Sequence, residues 1–284
     1  SVPLGDQQSF VIDSAGLIWE LSTWMPGDPL SYDASTRTIR AGASAIARVH
    51  QTLRKSGVWT RPSPTVRTRL DRTQWMNQNL QRCLVSDLTG RVHPMVQYQV
   101  SAAQQRLQMR WPEVAKRIVE TLEPLRHRSF SQHYVLRDVH REHLLFQQGE
   151  VAGIIDFDAV RVDSPAVDLA RWVTSFSKYA KGPSEAIDHV VAGYCNDPTF
   201  PNGATSAEAG LAEPAGVDFG SNIGDAATAE FRTLVEEIAV SSIWLGLANW
   251  VVWIVGESLQ FPDFQRVAER LGRLVESADA TANR

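Results

Sequence analysis

Asp138, His140, His143, Asp156, Asp158 and Asp168, side chains able to hold protons or metal ions, fall within one short stretch. Between them, two apolar runs at 144–146 and 151–155 flank the turn Gln147-Gln148-Gly149-Glu150, a spacing that predicts a β-hairpin. Asp138 precedes the first strand and Asp156 follows the second. Because a hairpin returns its ends to one place, the two carboxylates are expected to face each other across a small site. One can then take a proton from a hydroxyl while the other holds a metal ion on a nucleotide phosphate, which is the division of labour in phosphoryl transfer. The Asp-x-His-x-x-His spacing from 138 to 143 also allows a transition-metal site, the basis of a metal-dependent phosphohydrolase.

The elements that must position these groups follow from patterning. Residues 8–13 and 16–24 read as a second hairpin around Asp13-Ser14-Ala15-Gly16, ending at Trp24-Met25-Pro26-Gly27. Ile39, Ile46, Val49 and Leu53 define one face of a helix over 34–53, with Asp33 as its N-cap. Residues 57–66 read as a loop, and helices are expected over 71–88 and 96–127, the latter restarting at Trp111-Pro112. Further helices are expected near 166–176 and 185–194. Residues 196–226, rich in Gly, Ala, Pro and Asn, read as a long mobile loop before two closing helices at about 227–255 and 262–277. No internal repeat is evident.

Composition narrows the function classes. A chain of 284 residues, 43% of them hydrophobic, can bury a sizeable core. Its net charge of −4 leaves no electrostatic footprint for nucleic acid or an anionic membrane. Two distant cysteines, Cys83 and Cys195, and an N-terminus without a basic or apolar leader point to a reducing cytoplasm. Residues 238–256 carry no charge and are long enough to span a bilayer. Ser241, Ser242 and Asn249 interrupt the stretch and its flanks are acidic, so it is expected to be a core helix.

The segment 137–170 resembles the catalytic core of the aminoglycoside phosphotransferase and choline kinase-like family, which shares its fold with protein kinases. That family carries H-G-D-x-H-x-x-N, a hairpin, I-D-x-x, and then D-x-A. Asp138 and His140 match the loop, Ile155-Asp156-Phe157-Asp158 the element after the hairpin, and Asp168-Leu169-Ala170 the following helix. Leu136-Arg137 stands in place of His-Gly, and His143 in place of the metal-binding Asn. The resemblance implies an α+β, protein-kinase-like fold: a small β remnant of the upper lobe over 1–27 and a mostly helical lower lobe over 28–284. Thr23, Trp24 and Met25 would form the hinge that holds adenine.

The resemblance further implies roles for each residue. Asp138 would be the general base and Asp156 the Mg²⁺ ligand, with Asp158 assisting through a second metal or a water. Asp168 would bind loop N–H groups, His140 would orient the loop, and Arg137 would screen the carboxylates, contact phosphate or form an outward salt bridge. His143 either ligates a second ion, favouring Mn²⁺ over Mg²⁺, or hydrogen-bonds Asp138 or a backbone carbonyl. ATP with Mg²⁺ is the expected cofactor, and the substrate a small alcohol or amine-bearing molecule between the catalytic loop and the later helices, where acidic residues would attract cationic amines. No G-x-G-x-x-G occurs, and no lysine precedes Lys55. Without those phosphate-binding parts, a non-catalytic kinase-like scaffold is the competing expectation, and ATP binding is expected to be weak. Oligomeric state is left open.

Overall fold

The computed structural model describes residues 10–20, 24–195 and 225–282. Its strands are short and its helices long, as expected for an α+β chain. The first hairpin forms from β1 (Phe10–Ile12) and β2 (Ile18–Glu20), paired antiparallel with Val11 opposite Trp19. Asp13 closes it by accepting hydrogen bonds from Ala15 and Leu17 N–H. The outer residues assigned to this hairpin, 8, 9 and 21–23, lie outside the described residues, as does most of the stretch 196–226.

Strand β3 (Asp28–Pro29) joins the catalytic hairpin, β6 (Leu144–Gln147) and β7 (Glu150–Ile154), in one antiparallel sheet ordered β3-β6-β7. Gln148 and Gly149, at φ 54° and 84°, make the tight turn between β6 and β7. Gly27 permits the approach of β3: a Cβ there would lie 2.8 Å from the Phe146 carbonyl oxygen.

A third sheet, ordered β4-β5-β8, delivers the catalytic loop. It contains β4 (Trp59–Pro62), β5 (Ser129–Val135) and β8 (Arg161–Asp163). Strand β4 occupies a stretch expected to be loop, and β5 and β8 were not foreseen. Their pattern is obscured because β5 buries Ser131, Gln132 and His133 along with Phe130 and Val135. Partners inside the fold make that burial tolerable. Gln132 exchanges hydrogen bonds with Arg61, and Asp163 on β8 accepts from Ser63 Oγ and Thr65 Oγ1 at 2.7 and 2.5 Å.

The helices surround these sheets. Helix α1 (Thr36–Arg54) is capped by Ser35, whose Oγ accepts from Thr38 N–H at 3.2 Å, rather than by Asp33. Asp33 instead accepts from Ser177 Oγ and pairs with Lys181. Helix α2 (Pro64–Asn79) begins seven residues earlier than the apolar pattern suggested, because Pro64 at its first position and the Ser63 cap nucleate it. A short α3 (Gln81–Leu84) follows. Helix α4 (Pro94–Leu122) runs unbroken through Pro112 instead of restarting there; Trp111, held by its Nε1–H to Asn77 at 2.8 Å, and buried Val114 and Ala115 carry it past the missing N–H.

After the catalytic segment come α5 (Ala166–Val173), α6 (Ser177–Lys181) and α7 (Pro183–Cys195). Helix α8 (Asp225–Val251), extended by a π-turn at Val252–Gly256, and α9 (Phe264–Thr281) complete the lobe. The apolar stretch Thr228–Gly256 has membrane-spanning length, yet 72% of its apolar 18-residue segment is buried among neighbouring helices. Trp244 is enclosed and donates to Thr281 Oγ1 at 2.9 Å, while Trp250 and Trp253 are half-buried. Contacts on several sides account for an apolar surface all round this helix.

Helix α1 meets α5 through a glycine contact. Trp172 is fully buried and donates Nε1–H to the Ile39 carbonyl at 2.9 Å, and a Cβ on Gly42 would stand 2.1 Å from its ring. Gly42→Ala is therefore expected to cost about 1–3 kcal/mol through overpacking. Gly272→Ala on α9, where a Cβ meets nothing within 4 Å, is expected to stabilise by about 0.5–1 kcal/mol through helix propensity. Urea denaturation of both variants checks this, and equal effects would contradict the packing account.

Candidate active site

The loop at 136–143 leaves the end of β5 and enters β6, so its course is set at both ends by sheet. Asp168, in the first turn of α5, anchors it. Its buried carboxylate accepts from Leu136 N–H at 2.7 Å, Arg137 N–H at 2.6 Å and His50 Nε2–H at 2.8 Å. His50 in turn accepts on Nδ1 from the Tyr194 hydroxyl at 2.9 Å. Burial pushes the Tyr194 phenol far above its ordinary range, which keeps it a donor. One carboxylate thus ties the catalytic loop to α1, α5 and α7.

Arg137 has φ 66°, in the left-handed region. This is the position at which the resembling family carries Gly, and the backbone shows why: only there can two successive N–H groups turn onto Asp168. No carboxylate lies within 4.0 Å of the Arg137 guanidinium among the described residues, so the outward salt bridge is absent there. Asp156 also has φ 65°, a conformation that Asp tolerates better than most residues.

His143 stands between the two proposed chemical carboxylates. Its Nδ1–H donates to the Asp138 backbone carbonyl at 2.7 Å, and its Nε2 lies 3.5 Å from Asp156 Oδ2. A backbone hydrogen bond on one nitrogen leaves the other with an in-plane lone pair, the usual state of a metal-bound imidazole. His140 lies against His143, with ring centroids 3.7 Å apart and the rings tilted by 39°. Loss of water around it, with His143 nearby, pulls the His140 pKa down to about 4, so it is neutral at physiological pH. One ligand atom each from Asp138, His140 and His143 fit within 4.8 Å of one another. The donors present, a mixed set of carboxylate oxygens and imidazole nitrogens, fit a divalent ion of the Mn²⁺ type better than one demanding oxygen alone.

The Asp138 carboxylate pairs with Arg171 Nη1 at 3.2 Å. Asp158 is exposed, and among the described residues only its backbone carbonyl takes a hydrogen bond, from Arg161. Of the residues expected to form a hinge, Trp24 is 93% exposed, while Met25 packs its side chain over Gly153 of β7; Thr23 lies outside the described residues.

Beside Asp138 opens a cleft of about 230 Å³ between the catalytic loop, α5, α8 and α9. Its lining includes Arg141, Arg171, Arg266, Arg270 and Arg273, and a single carboxylate, Glu142. The acidic lining expected for cationic amines is therefore not what this cleft presents. Three of these arginines, 266, 270 and 273, recur at helical spacing along one face of α9, a periodicity present in the sequence that was given no role there.

A model of the phosphotransferase enzyme family matches residues 11–204. No curated protein matches the sequence. Among solved structures, similarity is found to an amicoumacin kinase in complex with AMP-PNP, Ca²⁺ and Ami, at 15% identity, TM-score 0.48, covering 98% of this chain and 71% of that one. An aminoglycoside phosphotransferase from Alicyclobacillus acidocaldarius subsp. acidocaldarius is similar at 12% identity, TM-score 0.49, covering 99% of this chain and 74% of that one. A glucosamine kinase is similar at 14% identity, TM-score 0.42, and the chain, 89% covered, spans 54% of its length.

The strained Arg137 yields a direct test. A left-handed non-glycine residue costs about 1–2 kcal/mol, partly offset by the greater unfolded-state entropy of glycine. Arg137→Gly is expected to raise stability by up to about 1 kcal/mol in urea denaturation. A loss of more than that would show that the arginine side chain itself holds the loop.

Proposed function

The chain belongs to the phosphotransferase enzyme family, whose model covers well over half of it, and from that premise we propose that it transfers the γ-phosphoryl group of ATP to a hydroxyl of a small molecule. The observation that carries this reading is the placement of His143, bonded to Asp138 on one nitrogen and 3.5 Å from the Asp156 carboxylate on the other. It joins a base-bearing loop to a metal-bearing hairpin end in one site.

In this reading Asp138 accepts a hydrogen bond from the substrate hydroxyl and takes its proton as the bond to phosphorus forms. Arg171 holds the carboxylate in place; as a half-exposed pair it contributes little to stability and acts by orientation. Asp156 and His143 are the residues that would hold a divalent ion, which when bound neutralises phosphate charge. Asp168 keeps Asp138 aimed by fixing the two preceding peptide groups. Trp24 and Met25 would present backbone groups to adenine.

A second reading has its own observation, the Asp138-His140-His143 cluster with ligand atoms within 4.8 Å. Such a set suits a transition-metal phosphohydrolase, which would release free phosphate instead of a phosphorylated alcohol.

Two expectations test the first reading. Calorimetric titration should give tighter binding of Mn·ATP than of Mg·ATP, by about tenfold, and His143→Asn should remove or reverse that preference. Asp138→Asn should reduce phosphoryl transfer by at least about 10²-fold while leaving nucleotide binding unchanged. Full activity in Asp138→Asn would remove the base assignment.

A further inference from the structure

The cleft beside Asp138 has a charge that the proposed reaction does not require. Asp138 and Arg171 form the boundary between the reacting centre and the cleft, since Arg171 both pairs with Asp138 at 3.2 Å and lines the cavity. A bound molecule can therefore offer a hydroxyl to Asp138 with the rest of its body inside.

The guanidinium groups there outnumber their partners. Glu142 is shared between Arg141 and Arg266, at 2.8 and 2.9 Å. Arg273 reaches Glu269 only at 3.9 Å, and its guanidinium lies 5.4 Å from the Tyr32 ring. Arg270 has no carboxylate within 4.0 Å among the described residues; its Cζ lies 5.8 Å from the Trp250 ring centroid. Behind the wall, Arg69 donates to Ser241 and Ser242 hydroxyls, and Ser242 itself lines the cleft. Neutral hydroxyls supply hydrogen bonds to that guanidinium but no opposite charge. Lost hydration and then Arg171 pull the Arg69 pKa down to about 9, and the same two influences lower that of Arg270. At neutral pH both remain cations, held close to a third.

Such an array repels a cation and fits a planar, doubly accepting anion, because a guanidinium presents parallel N–H donors to a carboxylate or phosphate. The size agrees: at roughly 30 Å³ per water, the cavity holds about eight water molecules, below the usual range for drug-sized ligands. We infer that this cleft binds a small anionic alcohol, a hydroxyl compound carrying a carboxylate or phosphate group, with the acid group on the arginines of α9 and the hydroxyl at Asp138. The inference rests on the phosphotransferase reading for what happens to the hydroxyl, but the anion site itself stands on the cleft alone. Trp250, Ile243 and Leu274 give the carbon skeleton an apolar wall.

Binding without nucleotide separates the two claims. D-glycerate, glycerol 3-phosphate, glycerol and choline are titrated into the full chain by calorimetry, alongside Arg270→Gln and Arg270→Lys, each checked for folding by circular dichroism. At least one anion is expected to bind, more weakly as salt rises, with glycerol and choline at least tenfold weaker; the better anion identifies the acid group. Arg270→Gln should weaken anion binding about tenfold to a hundredfold, and Arg270→Lys should recover part of it. Choline binding as tightly as the anions, no binding of either anion, or an unchanged affinity in Arg270→Gln overturns the inference. Anion binding in a protein that transfers no phosphate from ATP retires the kinase reading and leaves the anion site in place.

Discussion

A single buried carboxylate, Asp168, sets the geometry on which everything else depends. It lies at the N-terminal turn of α5, where an anion is favoured by the helix dipole, and its two oxygens accept hydrogen bonds from two backbone N–H groups and His50. A carboxylate removed from water is tolerable only when so fully paired. Breaking any one bond would leave a buried donor or acceptor unmet, at about 1–3 kcal/mol. The consequence reaches the chemistry, because the two N–H groups belong to the residues immediately before Asp138. In the proposed reading the base is therefore aimed by backbone as well as by its pairing with Arg171, and the strained φ of Arg137 is the local cost of that aim.

Around this anchor two sets of charges meet. Asp156 and His143 bring ligand atoms together at the hairpin end, and the arginines of α5 and α9 line the cleft. His140 belongs to both, lining the cleft and sharing a cluster with Asp138 and His143. The first set suits a cation that accompanies phosphate, the second an anion on the phosphate acceptor.

Much of the site was legible because its signals are local. The apolar runs around Gln148-Gly149 specify the hairpin, and a hairpin must bring 138 and 156 to one end. The His143 contact to a backbone carbonyl was among the alternatives that residue chemistry allows. Less legible was the sheet that delivers the loop: β5 buries Ser131, Gln132 and His133, so its alternation carries no hydrophobic signature, and the partner of Gln132, Arg61, comes from a distant segment. Pro112 misled for a related reason, since tertiary packing of Trp111 outweighs a local helix-breaking preference. The arginine cleft escaped because its members, from 141 to 273, converge only in three dimensions. Its periodic trio on α9 looks like any solvated helix face until the facing wall is known.

The central claim, that Asp138 and Asp156 serve group transfer to an alcohol, is tested most directly by ³¹P NMR of the protein with Mn·ATP or Mg·ATP and an anionic alcohol. Transfer predicts a new phosphomonoester resonance growing in step with ADP, with little inorganic phosphate. Inorganic phosphate growing alone would contradict it and assign the Asp138-His140-His143 cluster to hydrolysis.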